Sequence, residues 1–227
     1  MRLPVFRSED TRSRGTHFRR LVVQARAWLK LPAAVRRFYL RALWTAWRQK
    51  DQYSFDVVTR PYDLVEILRL AGDAEVVVEL GTATAWTTIA FALARPGRRV
   101  ITYDPVVREE RRMYLGLIPP AVRERLTFVK DIGRTGPRTD EPIGFLFVDG
   151  SHQREDTVLT FQAWSDAIAP GGAIAFHDYL DPHYPGVTEA IRELDLPGEQ
   201  RARLFIWRRP DSERSPASAS EALSAEG

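Results

Sequence analysis

The stretch FLFVDGSHQ (145–153) runs four apolar residues into Asp149 and places His152 three positions further on. A second stretch, AIAFHD (173–178), closes on His177 and Asp178. Carboxylate beside imidazole is the material of proton transfer. Histidine has an unperturbed pKa of about 6.5 and can take a proton near neutral pH. The same groups are also donors for a divalent cation. Carboxylates suit a hard ion such as Mg, whereas imidazole suits transition metals. An ordinary turn can hold the same residues, so the elements that carry them decide between these readings.

The run EVVVEL (75–80) is a continuous apolar stretch that suits a parallel strand covered on both faces. Further strands are expected at 98–104, 125–131, 144–149, 173–178 and 201–209. Helices are expected at 59–72, 86–97, 105–118, 155–172 and 186–195. Thr59 is a candidate cap for the first of these. The fourth is expected to close on the Pro-Gly-Gly of 170–172. Strands alternating with helices predict an α/β fold with a mainly parallel sheet and helices on both faces. In such sheets ligands bind outside the carboxyl ends of the strands. Acidic residues end five of them, at Glu79, Asp104, Asp131, Asp149 and Asp178. That repetition predicts a polar ligand lying across the sheet edge.

The first loop, VELGTATAWTT (78–88), is not G-x-G-x-x-G: Gly81 is its one glycine, with Ala83 and Ala85 following. A dinucleotide loop needs glycines with free amides for a pyrophosphate. A loop led by Glu79 better suits a ligand with an amino group and no phosphate, such as S-adenosylmethionine. Asp104 ends the next strand, where an acid can hold a ribose diol.

With these pieces in order, the chain from about 59 to 207 resembles class I S-adenosylmethionine-dependent methyltransferases. It is most similar to the branch of catechol O-methyltransferase and its bacterial relatives of unassigned substrate. The resemblance rests on VELGTATAW, ITYDP, FLFVDGSHQREDTVLTFQAW and APGGAIAFHDY followed by PGV. It implies a Rossmann-like, doubly wound sheet of seven strands. It implies S-adenosylmethionine as cofactor, held by Glu79, Gly81, Thr82, Ala85, Trp86, Thr87, Asp104, Asp131 and Ile132. A divalent cation such as Mg would be held by Asp149, His177 and Asp178. His152 would be the general base, beside Asp149, for methylation of a hydroxyl. Tyr179, His183 and Tyr184, in HDYLDPHYPG, would border a small hydroxylated acceptor. Ala85 stands where the family pattern expects a second glycine.

Charge is divided unevenly. Residues 1–50 carry 13 Lys or Arg against Glu9 and Asp10, while the whole chain is only +3. Residues 1–58 therefore read as a basic N-terminal arm, 59–210 as the catalytic domain and 211–227 as a disordered tail. Helical spacing over 17–31 and 32–50 collects an aromatic stripe and an arginine face. A basic arm predicts an anionic partner. Peripheral membrane contact through 17–50 and a homo-oligomer contact are both open, and no specific nucleic-acid partner is expected. The chain has no cysteine, which excludes disulfides and thiol chemistry. A cytoplasmic location, with or without membrane-surface association, fits that composition. Two other functions compete: a nicotinamide-dependent oxidoreductase, and a non-catalytic, membrane-recruited binding protein.

Overall fold

The computed structural model describes residues 23–211. The expected flexible arm 1–16, the start of the first helix (17–22) and the tail beyond Asp211 lie outside the described residues.

Seven strands form one sheet: β1 (Val76–Leu80), β2 (Arg99–Tyr103), β3 (Leu126–Val129), β4 (Ile143–Val148), β5 (Ile168–Phe176), β6 (Glu199–Arg201) and β7 (Leu204–Arg208). Their order is β3-β2-β1-β4-β5-β7-β6. The first five run parallel, and β7 and β6 close the sheet antiparallel. Helix α1 covers 23–30 among the described residues. It is followed by α2 (Ala33–Gln49), α3 (Gln52–Val57), α4 (Pro61–Ala71), α5 (Trp86–Ala94), α6 (Arg111–Leu115), α7 (Pro120–Arg123), α8 (Arg154–Trp164) and α9 (Pro185–Glu193).

Successive side chains point to opposite faces and both faces are covered, which explains why the central strand β1 is buried at every residue. Val77, Phe145, Phe147, Ala173 and Ala175 face a core shared with α2, α4 and α5. Val76, Val78, Leu80, Leu146, Val148 and Ile174 face a second core with Trp164, Val187 and Ile191. Helix α2 contributes Val35, Phe38, Tyr39, Ala42 and Ala46 to the first core. Burial of Phe38 stabilises the fold by about 1.5–3 kcal/mol. The first core therefore draws on residues from both sides of position 58/59.

Four local expectations differ from the structure. The helix read at 105–118 is only the short α6: residues 105–110 are not helical, Gly116 follows its end, and α7 opens beyond the expected range at Pro120. The Pro-Gly-Gly of 170–172 lies inside β5, where the register with β4 shifts between Ile143 and Phe145. Gly171 there takes φ +73°, so an expected turn is a bulge. Strand β6 is exposed at every residue and has no apolar pattern to reveal it. Thr59 does not cap α4, whose N-cap is Arg60 without a side-chain bond; its hydroxyl instead lies 2.8 Å from that of Thr87.

Candidate active site

Strand order reverses between β1 and β4, and a crevice forms at such a switch point. Here the loops after the two strands touch. Asp149 N donates to Leu80 O at 2.8 Å, and Gly81 N to Tyr103 O at 2.9 Å. Gly81 takes φ +105°, and a Cβ there would lie 2.1 Å from the carbonyl oxygen of Asp149. Ala83 and Ala85 follow at φ +44° and +70°. A left-handed alanine costs on the order of 1–2 kcal/mol. The loop holds this shape because its neighbours hold it, and such stored strain gathers at functional sites.

Asp104 is one of those neighbours. Its Oδ2 accepts from Ala83 N at 2.8 Å and its Oδ1 from Val106 N at 2.7 Å. Arg111 Nη2 donates to Ala83 O at 2.9 Å. The carboxylate thus sets the loop and stands beside it at the carboxyl end of β2. Asp104→Ala is expected to abolish binding of S-adenosylhomocysteine in calorimetry; wild-type affinity in that variant would overturn the role.

Below the loop lies a line of hydroxyls. Glu79 is buried, and its Oε2 accepts from Thr102 at 2.9 Å and from Thr88. Thr82 Oγ1 lies 2.6 Å from Thr102 Oγ1. Burial pushes the Glu79 carboxyl up to about 8, although both hydroxyls favour its ionised form. Trp86 opens α5 with its ring in the core, edge-on to Tyr39 at 5.5 Å and Tyr114 at 5.0 Å. Glu79 and Trp86 therefore support the loop, to which Thr82 and Ala85 themselves belong. At the far edge, Asp131 pairs with Arg138 and accepts from Gly133 N at 2.9 Å, and Ile132 is exposed.

The second group gathers at the ends of β4 and β5. His152 Nε2 stands 3.0 Å from Asp178 Oδ2 and 3.8 Å from Asp149 Oδ1. Burial disfavours its charge, but the two carboxylates outweigh burial and raise it to about 9. Tyr184 stacks on the imidazole at 4.1 Å. His177 turns the other way. Its Nδ1 lies 2.9 Å from Asp149 Oδ1, and its Nε2 3.8 Å from Asp63 Oδ2 on α4. Burial again opposes charge, yet Asp149, Asp63 and Asp178 hold His177 up at about 10. Asp149 is held well below the usual carboxylate range by His177 and His152, against the cost of its own burial.

Among the described residues one group could hold a cation, and its membership differs from the expected one. Ligand atoms of Asp149, His152 and Asp178 lie within 4.8 Å of one another. His152 takes the place expected for His177, because Asp178 sits at φ +56° and the chain turns sharply between them. His152 Nε2 and Asp178 Oδ1 are buried atoms with charged neighbours, Asp178 Oδ2 for the first and Arg203 for the second. Two carboxylates and one imidazole fit a divalent ion, and the nitrogen favours a transition metal over Mg.

The acceptor-side residues also separate. Tyr184 joins the cluster. Tyr179 packs on Phe205 at 5.1 Å, and His183 is exposed and pairs with Asp181 at 3.2 Å. Two residues at the site carried no signal in the sequence. Asp63 is a buried acid in an ordinary-looking first helical turn. Arg203, before β7, lies 2.5 Å from Asp178 Oδ1 and also pairs with Asp181.

Residues 78–179 match the family model described as a methyltransferase domain. Among solved structures, the chain is similar to cofactor-bound Rv0187 from MTB (19% identity, 90% of this chain and 94% of that chain, TM-score 0.54). It is also similar to the O-methyltransferase from Bacillus cereus in complex with SAH (17%, 87% and 91%, TM-score 0.52). The calicheamicin methyltransferase CalS11 is a third (14%, 91% and 99%, TM-score 0.52). No curated protein sequence matches the chain. The matched segment is similar to a methyltransferase domain, and the chain shares the fold of these solved structures. Two of the structures named are by their own descriptions a calicheamicin methyltransferase and an O-methyltransferase, and at these identities the likeness is one of fold.

Proposed function

We propose that this protein transfers the methyl group of S-adenosylmethionine to a hydroxyl oxygen of a small acceptor, with His152 as general base. The observation that carries the reading is the position of His152 Nε2, between Asp178 Oδ2 at 3.0 Å and Asp149 Oδ1 at 3.8 Å, at the strand ends next to the Gly81 loop. The cofactor supplies a methyl group on a sulfonium, a good electrophile that needs an oxygen nucleophile. His152 takes the hydroxyl proton onto Nε2 as the oxygen–carbon bond forms and the carbon–sulfur bond breaks. Asp149 and Asp178 stabilise the imidazolium that results. Tyr184 holds the ring plane by stacking. The Gly81–Ala85 loop, Asp104, Thr87, Asp131 and Ile132 position the donor, which removes most of the entropy cost of bringing sulfur, methyl carbon and acceptor oxygen into line.

Labelled cofactor offered with a panel of hydroxylated acceptors tests the reading. Label appearing on an acceptor oxygen is expected; binding of NAD in place of S-adenosylhomocysteine would overturn it. Asp149, His152 and Asp178 are the residues that would hold a divalent cation; with His152 as its ligand, the cation would replace the imidazole base by lowering the pKa of the acceptor hydroxyl.

The rate should depend on pH in a stated direction. With His152 raised to about 9, only about 1% of it is neutral near pH 7, so kcat/KM should climb roughly tenfold per unit up to about 9 and then level. A flat profile over that window would remove His152 as base. Added Mn²⁺ should move the inflection below 9 if the three residues bind it, and leave it there if they do not.

A further inference from the structure

Helix α2 has two apolar faces. The inner one is core. The outer one carries Leu40, Trp44 and Trp47, which are 57%, 57% and 51% exposed. At about 100° per residue these three fall within a sector of roughly 60°. Arg37 and Arg48 flank the sector on one side and Arg36 on the other. Arg48 lies over the Trp44 ring at 5.4 Å. Leu29, at the end of α1, adds a further side chain at 70% exposure. Between residues 11 and 50 the sequence contains no Asp or Glu at all. Single exposed apolar residues are ordinary, but a contiguous stripe with two tryptophans marks an interaction site.

We propose that the outer face of α2 docks on an anionic lipid bilayer. Tryptophan favours the boundary between headgroups and acyl chains. Arginine can lay its stem along that boundary while its charge meets the lipid phosphates. The inner face, anchored by Val35, Phe38, Tyr39, Ala42 and Ala46, presents the outer one already helical, so no folding cost accompanies docking. Charge decides between occupants. A second copy of the chain would set this all-basic face against its own like and be repelled. A nucleic acid would leave the leucine–tryptophan stripe without an apolar partner. The proposal does not depend on the methyl-transfer reading.

Flotation of the full chain with vesicles tests it. The wild-type chain is expected to float with phosphatidylglycerol-rich vesicles, weakly with pure phosphatidylcholine, and less as salt rises. Leu40→Ser/Trp44→Ser/Trp47→Ser should lower partitioning by about tenfold or more. These side chains lie outside the core, so circular dichroism and Tm should be retained. Brominated lipid should quench wild-type tryptophan fluorescence, and the triple variant much less. Equal flotation of variant and wild type would overturn the proposal. So would a wild-type chain that ignores anionic vesicles, binds RNA alone, or shows the triple substitution only as a change in oligomeric state.

Discussion

His152→Ala is expected to leave S-adenosylhomocysteine binding intact while cutting methyl transfer by about 10²–10⁴-fold, the usual contribution of a positioned general base. The two effects separate because His152 sits with Asp149 and Asp178 at the ends of β4 and β5, whereas the loop that positions the donor is held by Asp104, Arg111 and the hydroxyls around Glu79. Single-turnover kinetics at saturating cofactor, beside calorimetry, make the comparison. An unchanged rate with a turned-over acceptor would exclude the base. Loss of cofactor binding would show instead that the imidazole is structural. His152→Gln is a useful second variant, since it keeps a polar group beside Asp178 and still cannot take the proton.

Gly81→Ala is expected to be the most damaging single-methyl change in the molecule. The added Cβ would meet backbone, not a side chain that can turn away: 2.1 Å from Asp149 O and 2.6 Å from Asp149 C, at φ +105°. Either the β1 loop or the β4 loop must move, and each carries one half of the site. Loss of stability on the order of 3 kcal/mol or more is expected from clash and strain together, read as a fall in Tm, with cofactor affinity lost even where the variant folds. Retained affinity and Tm would show that the two loops do not meet as described. Ala85→Gly is the counterpart. Its φ of +70° suits glycine, so the change should stabilise the loop slightly.

The paired histidines also set a pH window for folding. His152 and His177 have folded pKa values raised to about 9 and about 10. Their ion pairing stabilises the fold fully below the unfolded value of about 6.5 and is lost as pH rises through the raised values. Asp149 is depressed, so its share is present above the unfolded value of about 3.9 and is lost as pH falls. These are the same contacts seen from both partners, and they count once.

The sequence by itself located the parallel strands and the acids that follow them. Hydrophobic period and backbone hydrogen bonding are local, so EVVVEL and FLFV declare strands buried on both faces, and the acids that follow lie at one sheet edge. The left-handed positions of the first loop were also foreshadowed by its small residues, Gly81, Ala83 and Ala85. What only the tertiary structure decided was which side chains meet. Trp86 follows the loop in sequence, but α2 covers it and takes its ring into the core. His177 and Asp178 are adjacent, yet one faces Asp63 and the other faces His152 and Arg203. Asp63 and Arg203 come from positions 140 residues apart, and the backbone amide of Arg203 donates to Asp63 at 3.4 Å. Such partnerships depend on strand order and on the turn of a single φ angle, and neither is written in the periodicity of the residues involved.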